Sequence, residues 1–222
     1  MGRDKALLAL AGKPLALHAL VKLRRVCSDV HLLSNGLELA EFAPVIADLH
    51  EGCGPLSGIE AALEHSTFDW NLIMPVDMPF LPSAFLDWWV RHVQRREKDG
   101  ARVAIFTVGG YPQPALCMLH KDVKPFVTLA MQRGEFKLFP LFQEIGRELT
   151  VRHGAARYEA FFNWPWREDN GSSVMPGQSQ DENEPWLLPT EAQQRARHLW
   201  FANLNTPEEF AEAEQHRDAL DT

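Results

Sequence analysis

Apolar and polar positions follow two periods along this chain, and they switch repeatedly. Residues 4 to 26 read as helix in two parts: Ala6-Leu7-Leu8-Ala9-Leu10 is apolar, Gly12-Lys13-Pro14 is a turn, and Pro14 opens the second part. There Leu15, Leu17, His18, Leu20, Val21 and Leu23 form a broad apolar face, with Lys22, Arg24 and Arg25 near the end, where cations suit the helix dipole. Val30-His31-Leu32-Leu33-Ser34 predicts a short strand closed by Asn35-Gly36, and Val45-Ile46-Ala47 predicts another, ending at Asp48. A glycine-rich loop, Glu51 to Gly58, leads into a helix from Ile59 to Glu64. Trp70 to Val76 predicts a strand, buried on both faces if central in a parallel sheet, and it stops at Asp77-Met78-Pro79.

Beyond it, Ser83 caps a helix from Ala84 to Arg96, with Gly100 as its stop. Arg102 to Val108 and Ala115 to Leu119 predict strands, and Val123 to Arg133 a helix capped by Gly134. Turn formers and acids dominate 163–190, which predicts a flexible insertion within a single domain spanning 1–222. Phe201-Ala202-Asn203-Leu204-Asn205 predicts an edge strand. Thr206-Pro207-Glu208-Glu209 is a helix start, with a Thr cap, Pro at the first helical position and Glu three residues after the cap. Strands alternating with helices predict an α/β fold, Rossmann-like, with a mostly parallel sheet and helices on both faces.

Composition narrows the chemistry. Of 222 residues 45% are hydrophobic and 23% charged, the balance of a folded core rather than a disordered chain. The net charge of -8 argues against a general nucleic-acid binder, which needs a basic surface. No apolar run is long enough to span a bilayer. Three widely spaced cysteines, Cys27, Cys53 and Cys117, predict neither a disulfide framework nor a metal knuckle, so a reducing cytoplasm is the expected compartment. Gly2 follows Met1, but Ala6 stands where a myristoylation signal needs Ser or Thr.

Candidate chemistry gathers where an α/β sheet presents its ligand edge. Asp48 and Asp77 each end a strand, and the loop Gly52 to Gly58 lies between them in sequence. Carboxylates at such an edge suit magnesium, which binds one or two carboxylates plus substrate phosphate oxygens. Glycines let backbone N–H groups approach an anion without a Cβ in the way. Lys5 could neutralise phosphate charge. Taken singly, each residue also has a plain structural reading: a turn aspartate, a solvated lysine, a tight Gly54-Pro55 turn. Cys53 has no basic neighbour in sequence to activate it, the nine histidines show no ligand spacing, and Phe85, Trp88 and Trp89 fit a helix core.

The order of the pieces says more than any one of them. Asp4-Lys5-Ala6-Leu7-Leu8, Gly12-Lys13-Pro14-Leu15, Asn35, Asp48, Gly54-Pro55-Leu56-Ser57-Gly58, Asp77-Met78-Pro79-Phe80-Leu81, Gln113-Pro114-Ala115-Leu116 and Asn203-Leu204-Asn205-Thr206-Pro207-Glu208-Glu209 follow one another through alternating strands and helices. This series resembles the molybdenum cofactor guanylyltransferase family, within the wider nucleotidyltransferases, over roughly residues 2 to 162 and 199 to 216. The resemblance implies transfer of GMP from GTP to the phosphate of molybdenum-molybdopterin, with Mg2+ as cofactor and release of pyrophosphate. It implies that Gly2, Lys5, Asn35, Asp48 and Asp77 bind the nucleotide, that Asp77 binds the metal, and that Lys5 and Asp77 are catalytic. It sets Gly54, Pro55, Asn203 and Asn205 toward the pterin, and molybdoenzymes or their chaperones as further partners. Attack on the α-phosphorus needs charge neutralisation and in-line placement more than an acid or base, since the nucleophile is already a phosphate oxygen.

The same family begins with a strand and a loop of the type L-A-G-G-x-x-x-R-M-G, and this sequence starts at what would be the last Met-Gly of that loop. The expectation is a chain lacking the first, central strand and the loop amides that cradle a triphosphate, through a start placed about 20 residues late or a damaged copy. Two other functions stay open: a related cytidylyl- or sugar-phosphate nucleotidyltransferase, and a non-catalytic pterin- or nucleotide-binding protein.

Overall fold

The computed structural model describes residues 4–154, 159–166 and 188–221. In chain order the elements are β1 (Ala9–Leu10), β2 (Lys13–Pro14), α1 (Leu15–Leu23), β3 (Leu32–Leu33), β4 (Val45–Ile46), α2 (Pro55–His65), β5 (Trp70–Ile73) and α3 (Ser83–Arg96). They continue with β6 (Val103–Val108), β7 (Tyr111–His120), α4 (Lys124–Arg133), α5 (Leu138–His153), β8 (Phe161–Trp166), α6 (Glu191–Arg195) and α7 (Pro207–Ala213). Contacts divide them into two compact units, one from the described parts of 1–30, 75–90 and 167–222, the other from 31–74 and 91–166.

In the first unit the opening apolar run is not the expected helix. Lys5–Leu7 make one 3-10 turn, started by Asp4, whose carboxylate accepts from Ala6 N at 3.0 Å. Ala9 and Leu10 then pair antiparallel with Pro14 and Lys13. Ala11 and Gly12 take positive φ values of 48° and 75°, which fold the chain back before a helix can propagate. α1 forms where the apolar face predicts, with Pro14 as its N-cap. His18 is buried on it and its Nε2–H donates to Leu10 O at 2.8 Å; burial lowers its pKa. Leu10, Leu15, Phe80, Leu204, Ala213 and Leu220 share one apolar cluster. α7 starts as its sequence predicts, with a reciprocal capping box between Thr206 and Glu209.

The second unit holds the main sheet, in the order β5-β7-β6-β8. β7 runs antiparallel to both neighbours, β8 parallel to β6, and β3 and β4 form a separate parallel pair. The class is α/β, and the pairing within the sheet is mixed. Its physical source is the β6–β7 connection: Gly109 and Gly110, with φ of 56° and 85°, supply the two left-handed residues of a tight hairpin, which forces antiparallel neighbours. Among the described residues β5 pairs only with β7, and it is half-buried along its length, unlike a central strand covered on both faces. Leu56, Ile59 and Leu63 of α2 share one apolar cluster with Val103, Ile105, Cys117 and Leu119 of the sheet, Val127 of α4 and Phe142 of α5.

Several boundaries differ from expectation. α2 begins at Pro55, so Pro55 to Gly58 are its first turn rather than loop; Gly54 takes φ 65°, and Pro fits the first helical position because its missing N–H is not needed there. Residues 163–166 of the expected insertion are the end of β8, paired in register with Ile105 to Val108; 167–187 lie outside the described residues. No edge strand forms at Phe201 to Asn205: Phe201 is in a turn and 202–205 have no regular secondary structure. No helix among the described residues is long and apolar enough to cross a membrane.

Candidate active site

Asp77 follows β5 by four residues, on an irregular segment that continues into Met78, Phe80 and Leu81, all buried. Its carboxylate is held in the first unit. Lys5 Nζ donates to Asp77 Oδ2 at 2.8 Å and to Asn205 Oδ1 at 2.5 Å. The three residues come from the 3-10 turn, the segment after β5 and the irregular stretch before α7. The lysine side chain is 36% exposed and the aspartate 17%, so the ammonium can reach a ligand in solution while the carboxylate is largely shielded.

The remaining oxygen is informative. Asp77 Oδ1 is buried and has no hydrogen-bond partner among the described residues. A buried carboxylate oxygen without a partner is costly, and such atoms commonly await an ion or ligand. A hard cation fits this donor type, a carboxylate oxygen beside the one that Lys5 pairs with. Asn203 Oδ1, two residues before Asn205, is likewise buried without a partner. No cluster of three or more His, Cys, Asp or Glu suited to a metal occurs among the described residues.

The backbone around Asp77 is tied down. Asp77 O accepts from Leu204 N at 3.0 Å, which docks the Asn203–Asn205 stretch alongside it. That stretch is in turn fixed by α7: Glu209 Oε2 accepts from Asn205 N at 2.5 Å and Thr206 N at 2.8 Å. Those two N–H groups hold the Glu209 carboxyl below its usual pKa. The resemblance set Asn205 toward the pterin; its side chain sits on Lys5.

In the second unit Asn35 and Asp48 form a pair. Asn35 Nδ2 donates to Asp48 Oδ2 at 3.2 Å, and Asp48 N donates to Asn35 Oδ1 at 2.9 Å. Asn35 is exposed and Asp48 half-buried, so both retain polar atoms facing solvent. A Cβ on Gly58 would come within 3.1 Å of Asp48 Oδ1, so the first turn of α2 approaches this carboxylate closely because residue 58 lacks a side chain. The loop between Asp48 and α2 is anchored by Ser57 Oγ, which accepts from His50 N at 2.9 Å. Gly54 and Pro55 stand at the start of α2. Gly2 lies outside the described residues.

The α/β fold is one that nucleotidyltransferases share, and comparison with known proteins gives the class. The description of the MobA-like NTP transferase domain matches residues 1–147, and the chain belongs to that family. It is 32% identical over 146 residues to a molybdenum cofactor guanylyltransferase of Vibrio cholerae, covering 64% of this chain and 70% of the relative. A Serratia proteamaculans protein of the same name is 30% identical over 174 residues, covering 76% and 84%. Among solved structures, the molybdopterin-guanine dinucleotide biosynthesis protein A of Archaeoglobus fulgidus superposes with a TM-score of 0.62 at 21% identity, covering 96% of this chain and 90% of that one. The 2-C-methyl-D-erythritol 4-phosphate cytidylyltransferase of Thermus thermophilus superposes with 0.56 at 13% identity, covering 95% and 92%, a likeness of fold.

Proposed function

We propose that this chain transfers GMP from GTP to the phosphate of molybdenum-molybdopterin. An oxygen of the pterin phosphate attacks the α-phosphorus of GTP, the bond from that phosphorus to the bridging oxygen of the β-phosphate breaks, and pyrophosphate leaves. The observation that carries the reading is the Lys5–Asp77–Asn205 corner with its unpartnered Asp77 Oδ1. The names of the relatives at 30–32% identity support the choice of nucleotide and acceptor.

In this reading Asp77 would hold magnesium, its Oδ1 being free of other partners among the described residues, and the part-exposed Lys5 ammonium would meet phosphate oxygens. Magnesium, when bound, supplies positive charge against which the phosphates lie and the leaving pyrophosphate is stabilised. Asn35 and Asp48 offer a donor and an acceptor to the guanine nucleotide. Gly54, Pro55, Asn203 and Asn205 are assigned to the pterin on the resemblance alone. Molybdoenzymes or their chaperones as recipients, and the cytoplasm as compartment, rest on the resemblance.

The test is ligand protection followed by turnover. GTP with Mg2+ is expected to raise the thermal midpoint of the protein, CTP much less. Pyrophosphate release should then require GTP, Mg2+ and molybdenum-molybdopterin together. Protection by CTP and not GTP would favour the cytidylyl alternative, and pterin binding without pyrophosphate release would favour a binding protein.

A further inference from the structure

Lys22 is the oddity of the first unit. It lies on α1 with 1% of its surface exposed, and burial pulls its pKa down to about 8. Lysine is among the residues least often fully buried, and a buried ammonium persists only where it is well bonded. Its Nζ donates to Pro79 O at 2.6 Å and to Met78 O at 3.2 Å. These are the two carbonyls that follow Asp77 in the chain, and Asp77 O itself accepts from Leu204 N at 3.0 Å. Three successive carbonyls of a segment that is neither helix nor strand are therefore each held from outside.

A second layer supports the lysine. Asp221, 8% exposed, acts on Lys22 through its charge. Its carboxylate is fixed by Ser83 N at 2.7 Å, Ser83 Oγ at 2.9 Å, Gln193 Nε2 at 3.1 Å and Arg25 at 3.2 Å. The anion that offsets the buried ammonium is thus locked to the start of α3, which bounds the Asp77 segment at its other end.

We infer that Lys22 is a positioning residue: by gripping the carbonyls of Met78 and Pro79 it fixes the Asp77 carboxylate where the metal and nucleotide need it. This rests on the role given to Asp77 above. Buried carbonyls need partners, and without Lys22 this segment must turn to find others. A displacement of about 1 Å in a group that places charge costs up to about a hundredfold in rate.

The test compares the parent with Lys22→Met, Lys22→Gln and, as a control on the same helix, the half-buried Leu23→Ala. The readouts are amide hydrogen exchange at Met78, Phe80 and Leu81, and kcat and KM for GTP with saturating Mg2+, all well below each variant's melting temperature. In Lys22→Met, exchange at these amides should rise at least about tenfold and kcat fall by roughly ten- to a hundredfold, with KM for GTP within about threefold. Leu23→Ala should melt earlier yet leave that exchange and kcat within about twofold of the parent. Lys22→Gln, whose donor is shorter and neutral, should fall between, and it carries the test if Lys22→Met does not fold. Parent-like exchange or parent-like kcat in the folded Lys22 variants overturns the inference while leaving the proposed reaction standing. A parent that releases no pyrophosphate sinks the reaction, and this inference with it.

Discussion

In one unit Asp77 is met by a lysine 72 residues away; in the other, Asp48 is met by an asparagine 13 residues away. The first is a charge pair, with one carboxylate oxygen used and the other buried and unanswered. The second is a reciprocal bond between an amide and a carboxylate, in which no cation takes part and solvent reaches both partners. Under the proposed reaction the two pairs would have different tasks. A group that steadies developing phosphate charge must be fixed before substrate arrives, since reorganising it during reaction costs rate. A group that reads a base or ribose can tolerate adjustment, since what it contributes is present in ground state and transition state alike.

Substitutions separate the two tasks. The largest effect is expected for Asp77→Asn, which keeps the size and removes the charge: kcat should fall about a hundred- to a thousandfold, with the thermal midpoint close to the parent's. Retained turnover would take Asp77 out of the site. Next comes Asp48→Asn, expected to raise KM for GTP about tenfold while kcat changes less than about threefold. If kcat fell as far as with Asp77→Asn, the contrast between the two corners would be wrong.

Smaller still is the effect of loosening the segment that carries Asn205. Thr206→Ala removes the cap of α7 and should cost about 1 kcal/mol of stability by denaturant unfolding. Glu209→Gln tests the same box by pH. The folded Glu209 carboxyl is held below its ordinary value of 4.5 by the N–H groups of Asn205 and Thr206. Its contribution is therefore complete above 4.5 and lost as pH falls through the lower folded value. The melting temperatures of parent and Glu209→Gln should differ at pH 7 and converge at the acid end; a difference that is unchanged at low pH would mean the carboxylate charge is not what holds the box.

The sequence carried some of this and withheld the rest for physical reasons. The start of α7 is legible because a capping box is local: Thr206, Pro207 and Glu209 contain all of its atoms. The run Ala6 to Leu10 misleads because apolar content alone does not fix a period, and the turn at Ala11-Gly12 overrides it. α5 gave no clear signal, with Pro140 in its first turn and Gly146 in its middle. The structure explains the glycine: a Cβ there would run into Phe161 of β8, so α5 packs on the strand through the gap. Of the site, the residues themselves offered Asp48 and Asp77 as strand-end carboxylates and Lys5 as a charge for phosphate, and only the resemblance linked Asn35 to a nucleotide. The pairing of Lys5 with Asn205 spans 200 residues, and Lys22 reads in sequence as a cation near a helix end; neither contact leaves a mark in local pattern.

The most direct measurement is the mass of the pterin product after incubation of the protein with GTP, Mg2+ and molybdenum-molybdopterin. The account predicts a gain of one GMP unit with the parent protein, abolished by chelation of the metal and formed about a hundred- to a thousandfold more slowly by Asp77→Asn. A pterin that comes back unmodified, or one that gains GMP equally well with Asp77→Asn, would contradict it.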